Sequence, residues 1–138
     1  MSAMVSVLRL GLSTLFMIAS VTAAAACSCR SRSPADIAAS SQAIFTGVAL
    51  RSEAAGPGQS LTTFRVIEGI KGAQTGREIR VRHRSGSSAS CGVVFAIGQD
   101  HALAAYSDNG ALAANLCSVY PFRGREGLAL MQTLRRLP

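Results

Sequence analysis

The chain has 138 residues, with 14 Lys+Arg against 7 Asp+Glu and a formal net charge of +7. Tryptophan is absent and aromatics make up 5% of the chain, so a core has to rely on Val, Ile, Leu and Ala, and stacking surfaces for nucleic-acid bases are scarce. The basic balance suits acidic surfaces, polyanions or anionic membranes and selects none of them.

Residues 1–26 read as a secretory signal. Arg9 is their only charge, Leu10 to Ala19 is apolar, and Ala24 and Ala26 supply the small residues that signal peptidase requires before Cys27. The stretch is short and alanine-rich for a membrane span, and no second hydrophobic run of spanning length follows. The expected product is secreted, periplasmic or extracellular. A lipoprotein signal would use the same cysteine, but it favours a large aliphatic residue where Ala24 stands. Removing the leader leaves 112 residues, enough for one domain with a modest core, and a charge of +6. The expected organisation is a signal over 1–26, a barrel domain over 27–122 and a C-terminal helix over 123–138.

Ser33-Pro34-Ala35-Asp36 is a helix start: Ser33 caps, Pro34 suits the first helical position, and Asp36 returns the bond. The helix is expected to run to about Ser41. Ala43 to Leu50 reads as a strand, and Gly47 within it marks a bulge or bend. Gly56-Pro57-Gly58 lies in a loop. Leu61 to Ile70 is a second strand, with Thr62, Phe64 and Val66 on one face. In a third strand, Glu78 to Arg84, Ile79, Val81 and His83 alternate with Arg80, Arg82 and Arg84. A polar loop, Ser85 to Ser90, leads into Cys91. A fourth strand covers Ala102 to Tyr106, Asp108-Asn109-Gly110 makes a hairpin turn, and a fifth strand runs from Ala111 to Cys117. Arg125 to Leu137 reads as a helix with Leu130, Leu134 and Leu137 on one face. Five short, mostly antiparallel strands with a helix near each end suggest a mainly β Greek-key barrel of the OB type.

Cys27, Cys29, Cys91 and Cys117 all follow the leader, and an even number in an exported chain reads as two disulfides. Of the three pairings, Cys27 with Cys29 is disfavoured because so short a loop is strained. Each N-terminal cysteine then joins a distant one, closing a loop of roughly 65 to 90 residues, for which chain entropy gives about 4 kcal/mol. Such bonds would staple a normally loose terminus onto the domain. Lipidation of Cys27 would leave three cysteines and one of them unpaired.

Catalytic chemistry is poorly represented, and the chain is read as a non-enzyme without a cofactor. It has two histidines, His83 and His101, neither with a carboxylate at a motif spacing, and no serine in a Gly-x-Ser-x-Gly turn. His83 reads as a strand-end residue at the core margin and His101 as a loop or strand-start residue. A zinc site made from the cysteines would compete with disulfide formation after export. Arg80, Arg82 and Arg84 form either a solvated sheet face or an anion-binding face; nucleic acid is not expected as a partner.

Cys27-Ser28-Cys29 directly after the leader, Ser88-Ala89-Ser90-Cys91-Gly92 and Asn115-Leu116-Cys117 carry a resemblance. With Phe45-Thr46-Gly47 and Phe64-Arg65-Val66 between them, they look like the N-terminal domain of the tissue inhibitors of metalloproteinases (TIMPs) and the wider netrin-like module. The resemblance covers residues 27 to 122 and suggests a single-domain member of bacterial type. It implies an OB barrel with disulfides Cys27–Cys91 and Cys29–Cys117. It also implies that the amine and carbonyl of Cys27 chelate the catalytic zinc of a target metalloprotease. Ser28 would enter the specificity pocket, and Ala89 and Ser90 would join Cys27, Ser28 and Cys29 in an inhibitory ridge. A zinc protease keeps one coordination position open for water, which a rigid bidentate ligand can displace. The amine must be neutral to coordinate, and α-amines titrate near pH 8.

The chain departs from that family in lacking a second domain and a third disulfide of the inhibitory domain, and in carrying Arg30-Ser31-Arg32 after Cys29. The implied partner is a zinc metalloprotease, met by a monomer. The alternative is a non-inhibitory exported module that binds protein or polyanion, or a lipoprotein held at the membrane through Cys27.

Overall fold

The structure, a computed structural model, describes residues 27–87 and 90–138. The expected leader, and Ser88 and Ala89, lie outside the described residues. Helix α1 (Pro34–Ser40) leads into strands β1 (Ala43–Ala54), β2 (Gln59–Lys71) and β3 (Glu78–Arg84). A long connection reaches β4 (Asp100–Asp108) and β5 (Ala111–Ala114), followed by α2 (Leu116–Val119), a 3-10 turn (Tyr120–Phe122) and α3 (Gly124–Leu134). The protein is mainly β. Its five strands close into a ring in the order β1-β2-β3-β5-β4, with β4 returning to β1.

β1 makes closure possible because it pairs with both β2 and β4. It bends at three register shifts, one of them at Thr46/Gly47. A Cβ on Gly47 would lie 2.8 Å from the carbonyl oxygen of Arg65, so the strands approach there only with glycine. The seam between β3 and β5 is the one parallel pairing, Arg82 opposite Ala113 and His83 opposite Ala114. Asn109 (φ 51°) and Gly110 (φ 79°) form the β4–β5 turn in the left-handed region that Asn-Gly favours.

β1 is buried on both sides, so Ala43, Ile44 and Phe45 are all inaccessible. Phe45 points into the barrel with Phe64, Val66, Val81 and Leu103. Ile44 points outward into a second cluster with Ile37 of α1, Ala104 and Leu134 of α3. Phe95, from the β3–β4 connection, plugs the barrel. Its ring meets Phe64, His83 and His101 edge-on at centroid distances of 4.9, 4.9 and 5.2 Å. Edge-to-face geometry adds about 0.5–1.5 kcal/mol per aromatic pair beyond area burial.

Several expected boundaries differ, and the fourth strand runs two residues further at each end, Asp100–Asp108 instead of Ala102 to Tyr106. The hairpin of β1 and β2 extends to Ala54 opposite Ser60, through polar residues that show no hydrophobic alternation. The fifth strand stops at Ala114, not Cys117, because Asn115 caps a new helix. The final helix spans Gly124–Leu134; Leu134 is buried, whereas Leu137 lies beyond the helix and is exposed. Arg135 holds α3 against β2 through two bonds to Glu68, Nε to Oε1 at 2.7 Å and the second nitrogen to Oε2 at 2.6 Å. That guanidinium keeps the Glu68 carboxyl below the usual glutamate range.

Candidate functional site

The segment before α1 has no regular secondary structure. Cys27 and Cys29 turn toward the protein and are half-buried, while Ser28 between them is exposed. Cys27 is bonded to Cys91 with the Cα atoms 5.1 Å apart, and Cys29 to Cys117 at 5.2 Å. The bonds close sequence separations of 64 and 88 residues. Both cysteine pairs are those named above, and bonds of this kind fit an oxidising environment.

The backbone around Cys91 is a hydrogen-bonded platform. Cys91 has φ 60°, a left-handed conformation unusual for a side-chain-bearing residue. Ser90 binds the Ser87 carbonyl twice, through its amide at 3.1 Å and its hydroxyl at 2.9 Å. The Gly92 amide donates to the same carbonyl at 3.2 Å, and Val93 donates to the Arg84 carbonyl at 3.1 Å. Val93 and Phe95 then enter the core, so the turn is anchored at both ends. Cys117 is fixed differently. Its amide donates to Asn115 Oδ1 at 2.9 Å, and the Ser118 hydroxyl accepts from the Asn115 amide at 3.1 Å, a reciprocal cap. The Leu116 amide donates to the Cys91 carbonyl at 3.1 Å and joins the two platforms.

Cys27, Ser28, Cys29 and Ser90 are thereby brought near one another by the two disulfides. Ala89, the remaining ridge residue, lies outside the described residues.

The three arginines of β3 divide. Arg80 bonds Glu53 across the sheet at 3.1 Å. Arg82 and Arg84 instead line an open cavity of about 400 Å³ with Gln59, Ser90, Cys91, Tyr106 and Asn115, so it borders the Cys27–Cys91 disulfide. Arg82 and Arg84 have no ion-pair partner among the described residues.

Neither a family model nor a curated protein matches this chain.

His83 is buried in the core, and His101 lies half-buried near the start of β4. His83 is 4% exposed, with Nε2 2.8 Å from the Thr62 hydroxyl, which in turn bonds Ser52 at 3.0 Å. Its Nδ1 has no hydrogen-bond partner of good geometry among the described residues. Burial pushes the ring below the ordinary histidine range, opposed in part by the backbone of Arg84 and Val93. His101 Nε2 lies 3.0 Å from the Ala96 carbonyl and helps hold the loop that delivers Phe95. Among the described residues no cluster of three or more His, Cys, Asp or Glu could hold a metal ion, and no helix is long and apolar enough to cross a membrane.

Gln59, Tyr106 and Asn115 were not identifiable as cavity residues from spacing, because four different strands and a helix cap contribute to the wall. Asn115 did carry a local signal: a cap residue followed at the third helical position by Ser118, whose hydroxyl can return the bond.

Proposed function

We propose that this protein is an exported inhibitor of zinc metallopeptidases, similar to TIMPs, on a netrin-like Greek-key barrel of the OB type. The strand order β1-β2-β3-β5-β4 with its parallel β3–β5 seam supports that barrel type. The observation that carries the functional reading is the double anchoring of Cys27-Ser28-Cys29, with Ser28 exposed between two disulfides to well-braced turns.

Cleavage after Ala26 would leave the Cys27 α-amine free beside its own carbonyl. Both atoms belong to a residue whose position is fixed before any partner arrives, so little conformational entropy is lost on docking. The pair replaces the water at the open coordination position of a catalytic zinc. Ser28 then points beside the metal, and Ala89 and Ser90 extend the contact. The chain's own role is positioning and exclusion of water; the zinc belongs to the target. Engagement of the Cys27 sulfur by Cys91 speaks against a lipid at that atom.

The test is a panel of zinc metallopeptidases assayed with secreted protein whose N-terminus has been sequenced. Inhibition of at least one, by protein beginning at Cys27, is the expected result. Absence of inhibition across the panel, or an acylated Cys27, leaves a non-inhibitory exported module.

A further inference from the structure

Four arginines surround the base of the ridge without ion-pair partners among the described residues: Arg30, Arg32, Arg82 and Arg84. They are far apart in sequence, and the fold joins them. Arg30 and Arg32 line a cavity of about 280 Å³ next to Cys29. Arg32 also lines a small cavity of about 90 Å³ with Tyr106, Asn115 and Cys117. Tyr106 and Asn115 are in turn walls of the larger cavity that holds Arg82 and Arg84. The four arginines therefore border one band of adjoining cavities that takes in cysteines of both disulfides, with Tyr106 and Asn115 shared by two of them.

We propose that this band is a second docking surface for an acidic protein partner, with a carboxylate side chain of that partner seated in the Arg82–Arg84 cavity. The position of the partner's body rests on the reading of the ridge given above, since the band flanks Ser28 and Ser90. All four cations are arginines, whose planar fork matches a carboxylate or a phosphate equally in two parallel bonds, so the choice rests on their surroundings. Two observations favour a protein over a polyanion. The cavity wall mixes these donors with the amides of Gln59 and Asn115 and the hydroxyls of Ser90 and Tyr106, as fits a discrete side chain. Asp108 and Glu126 interrupt the band, which suits separate carboxylates and opposes a continuous anionic chain. Elsewhere Arg80 is engaged with Glu53, Arg51 with Glu78 and Arg135 with Glu68, whereas Arg65 of β2 has no ion pair among the described residues and lines none of these cavities.

The probe is a short oligoglutamate peptide titrated into the isotope-labelled, disulfide-bonded protein and followed by NMR, beside a heparin oligosaccharide and inorganic phosphate. The expected result is saturable shifts at Ser90, Tyr106 and Asn115 with oligoglutamate, weakened by salt. Arg82→Gln combined with Arg84→Gln abolishes them, and Arg80→Gln leaves them intact. Shifts that persist in the double variant, or that centre on other residues, overturn the proposal. Heparin or phosphate shifting these residues while oligoglutamate is silent also overturns it, in favour of a polyanion or small-anion site. No peptidase is present in this titration, so its failure leaves the zinc reading intact. Conversely, loss of zinc inhibition on extending the N-terminus leaves these shifts unchanged.

Discussion

Asn115 caps the helix that carries Cys117: its Oδ1 accepts the Cys117 amide at 2.9 Å, so the residue that ends β5 also orients the second disulfide. Replacing Asn115 by Ala is expected to cost about 1 kcal/mol, the usual value of a lost N-cap, with Asn115→Asp keeping most of it. Urea unfolding of the two variants measures the difference. Equal stability of wild type and Asn115→Ala would mean that the disulfide alone sets this helix.

The Cys29–Cys117 bond closes 88 residues, and chain entropy assigns such a loop about 4.5 kcal/mol. The double variant Cys29→Ala, Cys117→Ala is expected to lose most of that amount in denaturant unfolding. A loss below about 1 kcal/mol would show that the unfolded chain is already constrained.

His83 makes stability depend on pH. Burial lowers its folded pKa below the unfolded value of about 6.5. The stability gained by keeping the ring neutral is therefore complete above pH 6.5 and is lost as pH falls from there through the folded value. Unfolding free energy should decline through this window, and His83→Gln should flatten the decline. An unchanged slope in the variant would assign the decline to other groups.

Helix α3 closes the outer cluster through Leu134, which is 3% exposed, whereas Leu128 on the same helix is 69% exposed. Leu134→Ala is expected to cost about 2–5 kcal/mol, the range for a buried leucine, and Leu128→Ala to stay within about 0.5 kcal/mol. Thermal unfolding of the pair is the check; similar losses would contradict the packing described for α3.

Much of this architecture was legible because it is periodic. Ile79, Val81 and His83 alternate with arginines, and burial along β3 follows that alternation. The Ser33–Asp36 cap and the Asn109–Gly110 turn are local chemistry and stand where their residues do. What escaped sequence reasoning depends on register. Arg80 is drawn to Glu53 only because β2 lies between β1 and β3 and brings their residues within reach, a relation of 27 positions. The end of β5 escaped because Ala113, Ala114 and Cys117 all suit a strand, and the Asn115 cap outweighs that pattern. The band from Arg30 to Arg84 escaped because its members meet only through Tyr106 and Asn115.

The most direct measurement concerns a single atom. Secreted protein beginning at Cys27 is compared with the same protein extended by one alanine, against a zinc peptidase that the former inhibits. The account predicts that the extension abolishes inhibition while the urea midpoint stays the same, because the added residue turns the Cys27 amine into an amide without touching either disulfide. Full potency of the extended protein would contradict chelation through Cys27.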